Sequence, residues 1–179
     1  MSLDAQVDAY YDKLSRREIR SLIFHLLYAV EAFEYDVSVE SIVDGFNRGL
    51  KFDIPLDSEA VTIAQAVIDL RQQLDKDIEP LLDNWRLERI GVCTKLILRL
   101  SVWELSNTEI PSSIVINEAI ELAKCFSEKD AYRFVNGILD EVCKKLGKED
   151  SKNSEDNEDE ESKIKPKKGK GKEEKEEKK

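Results

Sequence analysis

Residues 114–140 read IVINEAIELAKCFSEKDAYRFVNGILD, and this stretch predicts two helices joined by a short polar turn. Its apolar residues recur at the three- and four-residue spacing of a helix. Small or polar residues interrupt the apolar runs at Asn117, Glu118, Asn136, Gly137 and Asp140. Asparagine and glycine lower helix propensity, so their presence here indicates a packing, hydrogen-bonding or binding role.

The same helical spacing continues through most of residues 15–146, without a strand-like alternation of useful length. Ser15 followed by Glu18 forms a capping-box pattern, which predicts the start of a helix. Pro55 predicts a loop, and Pro80 predicts a break or kink. Helices are predicted over 16–35, 38–50, 58–74, 87–105, 112–126 and 129–146. The sequence therefore predicts an all-α domain of about six to eight helices.

Composition divides the chain of 179 residues, whose net charge is −10. From Gly147 onward it consists almost entirely of charged and small polar residues, which cannot bury enough apolar surface to become ordered. We therefore predict a disordered tail over 147–179, a single domain over 15–146, and an N-terminal extension over 1–14 that is helical. An acidic chain is a poor general nucleic-acid binder, so any such site requires a local basic patch or a partner.

Several classes of site are disfavoured by what the sequence contains. Cys93, Cys125 and Cys143 are widely spaced, and His25 is the single histidine, so no metal or catalytic cluster is predicted. We expect no cofactor and no enzymatic activity. His25 lies in the apolar run SLIFHLLY and is predicted to be a partly buried structural residue. Neither a signal peptide nor a membrane span is predicted, so we expect a reduced cytoplasmic protein that does not contact a membrane.

One face of the first helix combines basic and aromatic residues. At 100° per residue, Phe24 and Tyr28 each fall within about 20° of Arg17, one on either side of it. Arg20 and Arg16 lie to one side of them. Arginines at a helix N-terminus oppose the helix dipole and are mildly unfavourable for stability. Their presence here is easier to understand if they bind an anion. Arginines beside exposed aromatic rings suit single-stranded RNA, but surface arginines beside packed rings are an equal alternative.

The segments INEAIELAKCF and FVNGILD resemble the C-terminal signature of the NusB family of bacterial transcription antitermination factors. Upstream, LRLSVWELSNTEIP and SRREIRSLIFHLLYAVE are also similar to that family, and the similarity covers most of residues 15–146. The resemblance implies a compact bundle of about seven helices in two helical subdomains. It further implies binding to boxA, a single-stranded element of nascent ribosomal-operon RNA, together with NusE, a small-subunit ribosomal protein, within the transcription elongation complex.

The resemblance also implies particular contact residues. Those implied to contact RNA are Arg16, Arg17, Arg20, Tyr28, Asp130 and Phe134. Tyr28 is implied to lie near the protein partner as well. Relatives carry an acidic partner-contacting residue where this chain has Thr94, followed by Lys95, and we assign partner contacts to these two. Asp130 could instead be an acid at a helix start, and Phe134 could instead belong to the core.

One departure from the family pattern, besides Thr94, keeps other functions open. Glu18 stands in the arginine-rich segment where many relatives carry a basic residue, and this weakens the basic patch. The chain could therefore be a helical protein-interaction module of the transcription or ribosome-biogenesis machinery with little RNA binding of its own. Similar domains also precede ribosomal-RNA methyltransferases, but a charged tail follows the helical domain here, so we do not expect a catalytic domain. We expect Asn117 and Asn136 to hold helix contacts through buried hydrogen bonds.

Overall fold

The computed structural model describes residues 11–50, 52–82 and 85–148, and across them it contains seven α-helices and no strand. The helices are α1 (Arg16–Ala32), α2 (Val39–Leu50), α3 (Glu59–Asp69), α4 (Arg71–Ile78), α5 (Val92–Asn107), α6 (Ser112–Phe126) and α7 (Ala131–Leu146). Short 3-10 helices lie at Tyr11–Lys13, Glu79–Leu81 and Leu87–Arg89. The all-α prediction is confirmed for these residues.

Two helix ends form as their local sequences predict. The Ser15 side chain accepts a hydrogen bond from the Glu18 backbone, while the Glu18 carboxylate accepts one from the Ser15 backbone at 2.8 Å. This capping box satisfies two backbone donors at the start of α1. At the other end of the domain, Gly147 adopts a left-handed conformation with φ 64° and ends α7.

Three boundary predictions are wrong. The helix predicted over 58–74 is divided at Leu70, which ends α3 and begins α4. The helix predicted over 87–105 begins only at Val92, because Leu87–Arg89 forms a separate 3-10 helix, and it extends to Asn107. Ser127 ends α6, and α7 begins only after Asp130, which has a left-handed φ of 67°. The turn between α6 and α7 is thus longer than predicted.

Helix α5 lies at the centre of the fold, and most of its side chains are buried. One group of helices, α1 to α4, packs together on one part of α5. Most of its contacts with α5 come from α1 and α4. The other group consists of α6 and α7, which pack on each other and on α5. Burial of α5 on all sides explains its nearly continuous apolar sequence, because a helix with no solvent-facing stripe needs no polar face. The grouping agrees with the expected two helical subdomains.

Some predictions fall on residues that the structure does not describe. The helical extension predicted over 1–14 is described only from Tyr11, where a 3-10 turn precedes α1. The disordered tail predicted over 147–179 lies beyond the described residues from position 149 onward. Within the described ranges, no helix is both long and apolar enough to cross a membrane.

Candidate nucleic-acid interface

The first two arginines of α1 are exposed, and each is paired with a carboxylate from another helix. The Arg16 side chain, 80% exposed, lies 2.7 Å from Glu59 at the start of α3. The Arg17 side chain, 65% exposed, donates from Nη2 to Glu118 of α6 at 2.8 Å and from Nε at 3.1–3.2 Å. Both guanidinium groups are therefore accessible, but neither is free of a counter-charge.

Arg20 has a different environment from its two neighbours. Its side chain is only 8% exposed and donates from Nε and Nη2 to Glu104 of α5 at 2.7–3.1 Å. Its Nη1 atom lies 3.6 Å from Glu118. The structure thus places Arg20 in the interior, where it holds two carboxylates. Its predicted RNA contact stays a prediction, and its described contacts are those of a positioning residue.

An open cleft of about 610 Å³ lies beside these arginines. The start of α1 forms one wall, and the segment from Thr108 to Pro111, which joins α5 to α6, forms another. Glu59, Ile114 and Glu118 complete the lining. The cleft brings cationic groups, carboxylates and an exposed aliphatic side chain together at one end of the bundle.

The two aromatic residues on the arginine-bearing face of α1 differ in burial. Phe24 is buried and stacks on Phe126 at the end of α6, with 4.7 Å between ring centroids. Tyr28, one turn further along α1, is 47% exposed. The prediction for His25 is wrong, because its side chain is exposed and packs edge-on against both phenylalanine rings. His25 is one residue, and therefore about 100°, further around α1 than the buried Phe24, which places it on the outer side of the helix.

Two contacts fix the direction of α1 relative to α6. Arg17 near the start of α1 meets Glu118 in the middle of α6, and Phe24 meets Phe126 seven and eight residues later. The two helices therefore follow the same direction along this face. At 1.5 Å per residue, the arginine end lies about 10 Å from the aromatic end, where α6 leads into the turn before α7.

The turn before α7 presents Asp130 to solvent. Asp130 is exposed and has a positive φ, which is uncommon for a residue with a side chain. Phe134 is half-buried and packs against the hydrophobic core. Tyr132 stands between them in the sequence, and its ring centroid lies 5.6 Å from the Lys124 ammonium. The Tyr132 hydroxyl accepts a hydrogen bond from Arg133. This basic and aromatic group was not predicted from the sequence, although its residues lie within the stretch 114–140.

Thr94, a predicted partner residue, is buried. Its hydroxyl donates to Glu128 Oε2 at 3.3 Å. The same carboxylate lies so close to Gly91 that a Cβ atom there would be 2.0 Å from Glu128 Oε1. Glu128 thus covers the first turn of α5, and the accessible group at this position is its carboxylate, not the threonine hydroxyl.

Comparison with known proteins identifies the fold and the family. A model of the NusB family matches residues 17–144. The chain belongs to the NusB family. A relative named transcription antitermination protein NusB, from Macrococcus caseolyticus, is 37% identical over 135 residues, covering 73% of this chain and 98% of its own length. The same name is carried by an Anaeromyxobacter dehalogenans protein, 37% identical over 64% of this chain and 83% of its own length.

Solved structures agree with this assignment. The structure of T. maritima NusB is 32% identical, has a TM-score of 0.65, and covers 74% of this chain and 92% of its own. The solution structure of NusB from Aquifex aeolicus is similar in fold, with a TM-score of 0.55, 24% identity, and coverage of 80% and 98% of the two chains. The family prediction is therefore confirmed, and the function of the chain lies in transcription antitermination.

The NusB-family signature has structural roles that differ in part from those predicted. The Asn117 side chain is exposed, so the expected buried hydrogen bond is wrong there. Asn136 is half-buried but donates to Asp140 in the same helix at 3.0 Å, and does not join two helices. Burial raises the pKa of the Asp140 carboxyl above its ordinary value. Two other signature residues do join helices: Glu118 contacts two arginines of α1, and Phe126 stacks on Phe24.

Lys95 belongs to a polar network that ties α1, α4 and α5 of this NusB-family fold together. Its ammonium donates to Glu31 at 3.0 Å, and Arg99 donates to the other oxygen of that carboxylate at 3.1 Å. Arg99 also binds both oxygens of Asp75 at 2.7 Å. Tyr35 donates to Glu31 and accepts from Arg99 at 2.9 Å. Lys95 is thus turned towards Glu31, and its partner contact stays a prediction.

Proposed function

We propose that this NusB-family protein binds boxA-type single-stranded RNA of nascent ribosomal RNA transcripts together with NusE in the cytoplasm. In this account it joins the transcription elongation complex and helps to suppress premature termination. The observation that carries the proposal is the exposed face of α1, on which Arg16 and Arg17 lead towards Tyr28.

Charge and exposure support RNA as the ligand of this face. The accessible guanidinium groups of Arg16 and Arg17 can bind phosphate oxygens with two parallel hydrogen bonds. Tyr28 offers an exposed ring on which a base can stack, and such stacking is available only to unpaired bases. Asp130 can accept hydrogen bonds from base amino groups, which would add sequence preference.

The partner surface in this proposal includes Tyr28 and the start of α5. Thr94 contributes indirectly, because it holds the Glu128 carboxylate in place. Lys95 contributes through its ammonium, which is half-buried and shared with Glu31. A basic partner that binds RNA would meet the acidic groups here while the RNA meets the arginines, so the two ligands would assist each other.

Two observations favour a second function, that of a protein-interaction module with little RNA binding of its own. The exposed arginines at the start of α1 are already paired with Glu59 and Glu118. The whole chain is also acidic, with a net charge of −10. Both features reduce the electrostatic attraction between the protein and RNA phosphates.

Binding of the full-length protein to RNA separates the two functions. A boxA-like RNA and a scrambled RNA of the same composition are titrated with and without NusE, over a series of salt concentrations. We expect preference for the boxA-like RNA, stronger binding with NusE, and weaker binding in Arg17→Ala. Arg48→Ala is a matched control, because Arg48 is an exposed arginine of α2 paired with Asp44. Absence of RNA binding even with NusE would leave the interaction module as the function.

A further inference from the structure

Four charged side chains form a line from the surface into the core at the start of α1. Arg17 is exposed and binds Glu118, which in turn lies 3.6 Å from the buried Arg20. Arg20 then binds Glu104, whose side chain is 5% exposed. The signs alternate along the line, so each inner charge has a partner on either side. Exposure falls from 65% at Arg17 to 16% at Glu118 and 8% at Arg20.

We infer that Glu118 is an internal counterion that occupies Arg17 in the absence of RNA, and that an RNA phosphate takes Arg17 from it. Arg20 is then the positioning residue that keeps Glu118 paired after Arg17 has moved. This inference rests on the proposed RNA-binding function and adds a competition step to it. It also gives Glu118, within the signature segment INEAIELAK, a role in setting RNA affinity.

Arg17 can leave Glu118 at low cost. Its side chain is mostly in water, and exposed ion pairs contribute little to stability. The long arginine side chain can swing from the carboxylate to a phosphate, which accepts the same two-donor geometry. Because Arg17 faces the open cleft, a phosphate can approach without rearrangement of the backbone.

Glu118 would resist this exchange if Arg17 were its only partner. Its carboxylate is largely buried, and an unpaired buried charge is strongly unfavourable. Arg20 removes that obstacle, because its Nη1 atom is already 3.6 Å away. Arg20 itself cannot make the exchange, since it is enclosed and its Nε and Nη2 atoms are bound to Glu104. The exposed arginine is thus the mobile one and the buried arginine is fixed.

The inference is tested by Glu118→Gln in the full-length protein, with boxA-like RNA as the probe. Loss of the competing charge should tighten binding by about two- to fivefold, the range expected for an exposed ion pair. The salt slope should become steeper by up to about 0.7, the value for one phosphate contact on a single strand. Glu121→Gln removes a negative charge one turn further along α6, where Glu121 pairs with Lys124, and should have a smaller effect.

The double variant Arg17→Ala/Glu118→Gln tests whether the gain passes through Arg17. If Glu118 competes for Arg17, the gain disappears in the double variant, because the two substitutions are coupled. Equal gain with and without Arg17, or weaker RNA binding in Glu118→Gln with unchanged stability, would overturn the inference while leaving the proposed function intact. Failure of both the wild type and Glu118→Gln to bind RNA would refute the proposed function and the inference together.

Arginine side-chain NMR on the unmodified protein covers the case in which Glu118→Gln unfolds. On addition of RNA, the Nε–H signal of Arg17 should shift, while that of Arg20 should stay in place. A shift of the Arg20 signal with no change at Arg17 would mean that the buried arginine is the RNA ligand, and the competition step would be wrong.

Discussion

Arg20 and Glu104 form a buried ion pair, with 2.7 Å between Nη2 and Oε1, although 84 residues separate them in the chain. The pair fixes the start of α1 to the last turn of α5. The start of α1 carries three arginines, but Arg20 is buried in this pair. The segment therefore does not form a fully accessible basic patch. The two exposed arginines are held in position by this anchor.

Arg20→Ala should therefore destabilise the protein by about 3–5 kcal/mol, because it leaves the Glu104 carboxylate buried without its partner. Arg17→Ala removes an exposed guanidinium and should cost much less, because exposed ion pairs contribute little to stability. Chemical denaturation of both variants measures the two changes. Equal losses would mean that Arg20 is no more than another surface arginine.

Tyr35→Phe should change the stability of the protein at alkaline pH. Burial and the hydrogen bond to Glu31 raise the pKa of Tyr35 to about 12. Because the folded form retains its proton more tightly than the unfolded form, this stabilisation is complete below about pH 10 and is lost as the pH rises towards 12. The free energy of unfolding of the wild type should fall more steeply over this range than that of Tyr35→Phe. Parallel curves would contradict the raised pKa.

Two glycine-to-alanine substitutions, one within α7 and one just after its end, should have opposite effects on stability. Gly137 lies within α7 with open space around it, so Gly137→Ala should stabilise the protein by about 0.5–1 kcal/mol. Gly147 has a positive φ, so Gly147→Ala should destabilise it by about 1 kcal/mol. Thermal and chemical denaturation provide the comparison, and a stabilising Gly147→Ala would show that the helix ends differently.

Tyr28→Ala and Phe134→Ala compare the loss of an exposed aromatic side chain with the loss of a partly buried one. Tyr28→Ala should weaken RNA binding by about 1–3 kcal/mol through loss of stacking, and should change stability by less than about 0.5 kcal/mol. Phe134 packs against the core, so Phe134→Ala should lower the free energy of unfolding by about 2 kcal/mol. Fluorescence anisotropy with labelled RNA and urea denaturation give the two readouts. Intact RNA binding in Tyr28→Ala would remove Tyr28 from the interface.

Features that depend on neighbouring residues were predictable from the sequence. The Ser15–Glu18 capping box and the Gly147 helix end rest on contacts within one turn, and both form as expected. Asp130 was not foreseen as the residue before α7, because a left-handed backbone is uncommon for a residue with a side chain. The side-chain oxygen of Ser127, three residues earlier, is buried and has no hydrogen-bond partner among the described residues.

Features that depend on distant residues were not predictable. The helical spacing put Arg17 and Arg20 on adjacent faces, but only the packing of α5 and α6 decides which of them is buried. The same holds for Thr94, which is covered by Glu128 from a turn 34 residues later. Phe126 had a visible signal, since it closes the segment INEAIELAKCF, but its stacking on Phe24 requires the two helices to run side by side.

The RNA-binding surface can be located directly by NMR, with boxA-like RNA added to the isotopically labelled full-length protein. Backbone and side-chain signals should change at the first turns of α1, at Tyr28, and from Phe126 to Asp130. Signals of α2 and α4 should remain almost unchanged. Changes confined to α2 and α4, or no change at any RNA concentration, would contradict the proposed interface.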